Sequence, residues 1–156
     1  MIKYFFISYN KEIENKFHNY NFTRTPIHKK IKKILIVSLI IASDDKVFFK
    51  RTINYLLIPG NYTLLIKVLY KLSNNIWNIS GDISTDFNFY TKRTILSGIY
   101  ISTILRHFQT DNMLETEKYL DDLLLKVSKI PKIKNRIGLI KRNIPNLFNF
   151  IKNYSI

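Results

Sequence analysis

The sequence predicts an all-α fold, and three observations support this. Apolar residues recur at helical spacing in several segments, no segment shows the alternation of a half-buried strand, and 46% of the 156 residues are hydrophobic. A chain of this length can bury about 70% of its unfolded surface around one core. We therefore expect a helical bundle, with one domain over residues 1–130 and a separate basic, amphipathic segment over residues 131–156.

Glycine, proline and short polar residues mark where the helices begin and end. Pro59 and Gly60 interrupt the chain after one apolar segment, and Gly81 does so after the next. Residues 1–20 have neither a three-helix pattern nor the turn glycine expected of a DNA-binding helix-turn-helix motif. The predicted helices cover residues 29–43, 46–58, 62–79, from about 85 onward, and 115–128.

The helix after Gly81 is expected to be central. Asp82 and Asp86 are most simply residues at its start, where carboxylates accept hydrogen bonds from free amides and complement the helix dipole. Residues 94–105 carry no charge, so the helix is apolar nearly all round, yet this stretch is too short to span a bilayer. A glycine in mid-helix costs roughly 1 kcal/mol relative to alanine, so Gly98 predicts a compensating close approach.

A stripe on this helix predicts a partner-binding surface. Asp86, Phe89, Tyr90 and Arg93 are spaced at three, four and seven residues, which places an acid, two aromatic rings and a cation on one face. Aromatic and arginine side chains are typical of protein-contact hot spots. Alternatively, the two rings pack inside the bundle while Asp86 and Arg93 form an exposed ion pair worth less than about 1 kcal/mol.

A lipid cavity is a separate expectation for the two central helices. Apolar and small residues on both could enclose a pre-formed pocket, although a filled core would use the same residues. The candidate lipid-binding residues are Leu65, Leu69, Trp77, Leu96, Gly98, Ile99, Tyr100 and Thr103.

The formal net charge of +14 raises the question of an anionic partner. Residues 126–156 contain eight basic residues and no acidic one, interspersed with apolar residues. Such a segment suits an anionic membrane surface, but it could also pack on the domain with a solvated basic face. Nucleic acid is the less favoured partner, because no recognition helix is evident. A cytoplasmic protein, peripheral on the inner face of a membrane, is the default expectation.

Catalytic residues are not indicated. There is no cysteine, so disulfides and thiol chemistry are excluded. The three histidines are scattered, and none forms the Glu-x-x-His pair of a di-iron bundle. The four glycines are isolated and make no phosphate-binding loop. We expect no enzyme activity, no metal site and no cofactor.

Two segments resemble a known family. The signature segment, residues 81–93, reads GDISTDFNFYTKR, and the run over residues 51–77 precedes it with Pro59, Gly60, Asn61 and Trp77 in place. Both are similar to the accessory family of ubiquinone biosynthesis, the ninth Coq protein. Phe89 is a departure, because the family pattern usually has tryptophan there.

This resemblance implies a fold and a function. The fold would be like the ligand-binding domain of tetracycline-repressor-type regulators, without the family's helix-turn-helix-like region. The function would be non-catalytic: binding an isoprenoid or phospholipid and assisting a membrane-associated di-iron hydroxylase that acts on demethoxyubiquinone. The resemblance also implies that the stripe from Asp86 to Arg93 contacts the hydroxylase, and that a terminal amphipathic helix binds the membrane. A homodimer is expected by analogy only. The alternative function is a repressor-like transcriptional regulator.

Overall fold

The structure, a computed structural model, describes residues 2–83 and 87–129, with only the backbone of residues 87 and 88. These residues contain helices and no strand, so the predicted all-α class is confirmed. The helices are α1 (Ile2–Phe17), α2 (Ile27–Asp44), α3 (Lys46–Leu56), α4 (Tyr62–Ile79), α5 (Phe87–Thr110) and α6 (Met113–Ser128).

The chain divides into two compact units, Met1–Leu123 and Leu124–Ile156. Most of the second unit lies outside the described residues, and so does the predicted basic segment over residues 131–156. The predicted boundary after residue 130 therefore stays a prediction. No helix in the described ranges is long and apolar enough to cross a membrane.

The core of the first unit is built around α4 and α5, which form its most extensive helix pair. Leu72 and Ile76 of α4 and Ile104 of α5 are fully buried, and Leu96 of α5 is nearly so. The two helices are also joined by a hydrogen bond between side-chain hydroxyls. The Oγ atoms of Ser73 and Ser97 lie 2.8 Å apart, so α4 and α5 are in direct contact at this level.

The first helix, α1, was not among the helices expected from the sequence. Its buried residues, Phe6, Tyr9, Ile13 and Phe17, follow spacings of three, four and four, which is the periodicity of one helix face. This face packs on α2 and α4. Residues 2–20 thus contain one helix, in agreement with the absence of a three-helix pattern there.

The end of α4 confirms the role expected for Gly81. Its φ angle is +84°, a left-handed conformation that suits glycine. The Gly81 amide donates to the Asn78 carbonyl at 3.0 Å, and the Asp82 amide donates to the Trp77 carbonyl at 3.0 Å. This pair of bonds is a Schellman motif, which satisfies the last carbonyls of the helix and turns the chain back over it.

The uncharged stretch of α5 is buried on one face only. Leu96, Ile99, Tyr100, Thr103 and Ile104 are buried, but Gly98 is exposed. A Cβ atom added at Gly98 would meet no atom of the described residues within 4 Å. Two predictions are therefore wrong: that a neighbour approaches Gly98 closely, and that the helix is buried on all sides.

Replacing Gly98 by Ala should stabilise the protein by roughly 0.5–1 kcal/mol. The added methyl group has space, and alanine loses less backbone entropy than glycine when the helix forms. The free energy of unfolding in urea measures this effect. A loss of stability on Gly98→Ala would show that something unseen approaches this position.

Candidate partner-binding site at the start of helix α5

Arg93 is the centre of the candidate site, although it lies in the interior. Only 1% of its surface is exposed. Its Nε donates to the Asn74 side-chain oxygen at 2.8 Å, and its Nη1 donates to the Phe89 carbonyl at 3.0 Å. The guanidinium carbon lies 3.3 Å from the centroid of the Phe89 ring. Arg93 thus joins α4 to the first turns of α5.

The carboxylate that pairs with Arg93 is Asp82, directly after the Schellman turn. Asp82 Oδ2 accepts from Arg93 Nη1 at 3.3 Å, and Oδ1 pairs with Lys92 Nζ at 2.7 Å. The Asp82 side chain is only 4% exposed. A buried carboxylate is costly without a partner, and the charges of Lys92 and Arg93 help to offset this cost.

The alternative interpretation placed Asp86 and Arg93 in an exposed ion pair. Asp86 lies outside the described residues, so the pairing stays a prediction, but Arg93 is buried rather than exposed. The sequence did not identify Asp82 as the partner of Arg93, because it is most simply a helix-start residue. One signal in the sequence could have indicated this pair: Asp82 and Arg93 carry opposite charges on either side of a turn, and polar Asn74 lies on the facing helix.

The aromatic pair divides between interior and surface. Phe89 is partly covered by the Arg93 guanidinium, whereas Tyr90 is 62% exposed. The two rings contact each other edge to face with centroids 5.2 Å apart. Within the described part of the stripe, Tyr90 is the side chain that presents most of its surface to a partner. Phe89 and Arg93 can support it from beneath.

Trp77 borders the same site and contains an unsatisfied donor. Its indole Nε1 is buried and has no hydrogen-bond partner among the residues that the structure describes. The ammonium group of Lys92 lies 5.2 Å from the Trp77 ring centroid, within the range of a cation–π interaction. Buried indole N–H groups usually find an acceptor, so this one is an exception within the bundle.

The residues predicted to line a lipid cavity are mostly part of the packed core. Leu69, Leu96, Ile99, Tyr100 and Thr103 are buried, Leu65 and Trp77 are half-buried, and Gly98 is exposed. Three described grooves lie between α1 and α4, among α1, α2 and α3, and between α3 and α5, and none includes any of these eight residues. The lipid-binding role of these residues stays a prediction.

A second buried polar cluster lies where α5 meets α2 and α6. His107 Nε2 is 2.7 Å from Ser43 Oγ, and His107 Nδ1 is 3.2 Å from Thr116 Oγ1. Burial lowers the pKa of His107, the nearby charge of Lys46 lowers it further, and Asp111 opposes this shift. The cluster joins three helices, and no carboxylate within the described ranges is hydrogen-bonded to the imidazole.

Stability should fall as the pH drops from about 7 to 5, because His107 favours its neutral form in the folded state. The unfolded chain takes up this proton first, so protonation favours unfolding. His107→Gln should flatten the dependence over this range. Urea unfolding of the parent and of this variant at several pH values measures the effect. If the free energy of unfolding depended on pH in His107→Gln as it does in the parent, His107 would not be the source of the dependence.

No group of three or more possible metal ligands occurs in the described residues. The fold and site define a small all-α bundle whose central helix pair is joined by a buried arginine–aspartate pair. The COQ9 family model matches residues 62–131, which begin at the first residue of α4 and include α5 and α6.

Known proteins show the same similarity. The chain is 36% identical over 74 residues to "Ubiquinone biosynthesis protein COQ9, mitochondrial" of Rattus norvegicus, covering 46% of this chain and 24% of that protein. It is 38% identical over 55 residues to the protein of that name from Homo sapiens, covering 35% and 17%. It is 33% identical over 82 residues to "Probable ubiquinone biosynthesis protein coq9, mitochondrial" of Dictyostelium discoideum, covering 51% and 26%. The matches thus span about a quarter or less of these relatives. The family-model match over residues 62–131 and these relatives agree with the resemblance found in the sequence.

Proposed function

We propose that the protein is a non-catalytic, lipid-binding accessory factor of ubiquinone biosynthesis. It would hold a polyprenyl quinone intermediate and present it to a membrane-associated di-iron hydroxylase acting on demethoxyubiquinone. The observation that carries this proposal is the COQ9 match over α4, α5 and α6, together with relatives named as ubiquinone biosynthesis proteins. A carrier has a physical purpose, because a polyprenyl tail is insoluble in water.

The hydroxylase would bind at the start of α5. Tyr90 offers an exposed aromatic ring, and the Asp82–Arg93 pair beneath fixes the helix that bears it. A fixed aromatic side chain loses little conformational freedom on binding, which favours affinity. Arg93 would act by positioning Tyr90 and Phe89, not by contacting the partner. Asp86 remains part of the proposed surface.

The lipid would bind along α4 and α5, next to the unpaired Trp77 indole. An acceptor oxygen on a quinone ring or lipid headgroup would satisfy this N–H if neighbouring side chains moved apart. Leu65 and Gly98, which are less covered than the core residues, would border the entrance. The ligand would then take the place of packing contacts between the two helices.

Native mass spectrometry of the gently extracted protein tests this carrier function. Organic extraction should release an isoprenoid quinone or a phospholipid, and Gly98→Leu should reduce the bound fraction. Gly60→Leu is the matched control, because an added Cβ at Gly60 also meets no described atom within 4 Å. A ligand-free protein, or equal occupancy in both variants, would contradict the proposed lipid site.

Membrane contact and dimer formation are further parts of the proposal. The basic segment over residues 131–156 lies outside the described residues, so its membrane docking rests on composition. The relatives are named as mitochondrial, whereas this chain was expected to be cytoplasmic and peripheral on the inner face of a membrane. Sedimentation with anionic vesicles should depend on the basic segment. A homodimer is supported only by the analogy of fold.

The repressor-like alternative has weaker support. The charge of +14 is compatible with nucleic acid, but residues 2–20 contain one helix followed by a turn. A helix-turn-helix motif needs two adjacent helices, the second of which enters the major groove. The resemblance to tetracycline-repressor-type ligand domains stays a prediction.

A further inference from the structure

A groove between α1 and α4 has no role in the proposed function. Its volume is about 500 Å³, and its floor is apolar, with buried Phe6 and Val68. Ile7 on one wall is 50% exposed, and Ile66 on the other is 65% exposed. Large apolar side chains therefore face solvent on both sides of an apolar cleft. The groove shares no residue with the Asp82–Arg93 site.

The rim of the groove is positively charged. Lys3, Lys67 and Lys71 line it, all three are exposed, and no carboxylate is among the lining residues. None of these lysines has an ion-pair partner in the part of the chain that the structure describes. A partner that fits would bring apolar groups to the floor and negative charge to the rim.

The α1 wall has the periodicity of a helix face. Lys3, Ile7 and Asn10 follow at intervals of four and three on α1, and the α4 wall runs from Leu64 to Lys71. Each wall is thus about 10 Å long, or two helical turns. Asn75 Nδ2 donates to the Asn10 carbonyl at 3.1 Å and holds the two helices together at one end.

The apolar surface continues beyond the groove itself. Exposed Tyr4 lies one helical turn before Ile7 on α1, and exposed Tyr62 lies one turn before Ile66 on α4. A single small molecule in the groove would leave these rings in water. A helix of a few turns laid between α1 and α4 could cover them. Extended exposed apolar patches of this kind mark interaction sites.

We propose that this groove binds an amphipathic helix of a partner protein. That helix would carry apolar residues at positions i, i+3, i+4 and i+7, flanked by Asp or Glu that pair with Lys3, Lys67 and Lys71. A second copy of this chain is a poor occupant, because the groove contains no acidic residue and the chain has a net charge of +14. The site is thus a second protein-contact surface, separate from Tyr90.

The test uses the full chain and a labelled synthetic helix with four leucines on one face and flanking glutamates. Fluorescence anisotropy should detect binding, and Lys67→Glu with Lys71→Glu should weaken it about tenfold. The matched control is Lys29→Glu with Lys118→Glu, an equal change in net charge at exposed lysines outside the groove. The Ile66→Asp variant should also weaken binding, unlike Ile40→Asp on another exposed helix face.

Several outcomes would overturn the proposal. The control pair could weaken binding as much as the groove pair, which would indicate attraction to net charge alone. A peptide with lysines in place of the glutamates could bind equally well. Myristate could displace the peptide in a manner that depends on Lys67 and Lys71, which would assign the groove to a small anionic amphiphile instead. Urea unfolding of each variant confirms that surface substitutions have left the fold intact.

Discussion

Replacing Arg93 by Met should lower the free energy of unfolding by about 3 kcal/mol. The substitution keeps much of the side-chain volume but leaves the Asp82 carboxylate without its buried cation. It also removes the donors to the Asn74 side chain and the Phe89 carbonyl. Lys92 still pairs with Asp82 at 2.7 Å, so the expected loss lies at the lower end for a broken buried pair. Urea unfolding measures it.

Three further variants separate the buried pair from general effects at this site. Lys92→Met removes a more exposed cation and should cost less than about 1 kcal/mol. Arg93→Lys keeps the charge but cannot form the same set of bonds, so an intermediate loss is expected. Asp82→Asn combined with Arg93→Met should cost less than the sum of the single substitutions. Additive losses, or an Arg93→Met variant as stable as the parent, would contradict the proposed coupling.

Replacing Tyr100 by Ala should be at least as damaging, at about 3–5 kcal/mol. Tyr100 is 0% exposed at the centre of α5, and its hydroxyl oxygen lies 2.7 Å from that of Tyr9 on α1. The Tyr9 hydroxyl also donates to the Ser38 carbonyl on α2 at 2.5 Å. Truncation therefore leaves a cavity and removes a polar link between two helices.

Tyr100→Phe separates the cavity from the hydrogen bond. The ring remains and Tyr9 keeps its bond to Ser38, so a loss of only about 1 kcal/mol is expected. A loss of stability in Tyr100→Phe as large as that in Tyr100→Ala would show that the hydroxyl pair, not packing, dominates.

Burial raises the pKa of both hydroxyls, so the folded protein should lose stability at pH values above about 10, where unfolded tyrosine ionises.

The sequence predicted helix α4, at the centre of the fold, more accurately than helix α1. Helix α4 has the predicted bounds, because Pro59 and Gly60 before it and Gly81 after it are strong local signals. Helix α1 was missed even though its buried residues follow a helical period. The residues of its buried face lie among many other apolar residues of the same segment, and no capping residue marks the start of the helix.

The candidate site was only partly predictable, for a different reason. Helical spacing places Phe89, Tyr90 and Arg93 on neighbouring faces, but it does not tell how deeply each lies in the bundle. Arg93 is buried because Asp82 lies within reach, and this contact depends on how the turn after Gly81 folds back. Likewise, the uncharged stretch of α5 did not reveal that Gly98 lies on its exposed side. Burial of that kind is a property of the neighbouring helices.

The most direct test of the proposed function measures binding of the di-iron hydroxylase to this protein and to its Tyr90→Ala variant. Tyr55→Ala is the matched control, because Tyr55 is another exposed tyrosine, on α3. If the start of α5 is the partner surface, Tyr90→Ala should weaken binding about tenfold or more with unchanged unfolding, while Tyr55→Ala binds as the parent does. Equal affinity of the parent and Tyr90→Ala proteins for the hydroxylase would contradict it.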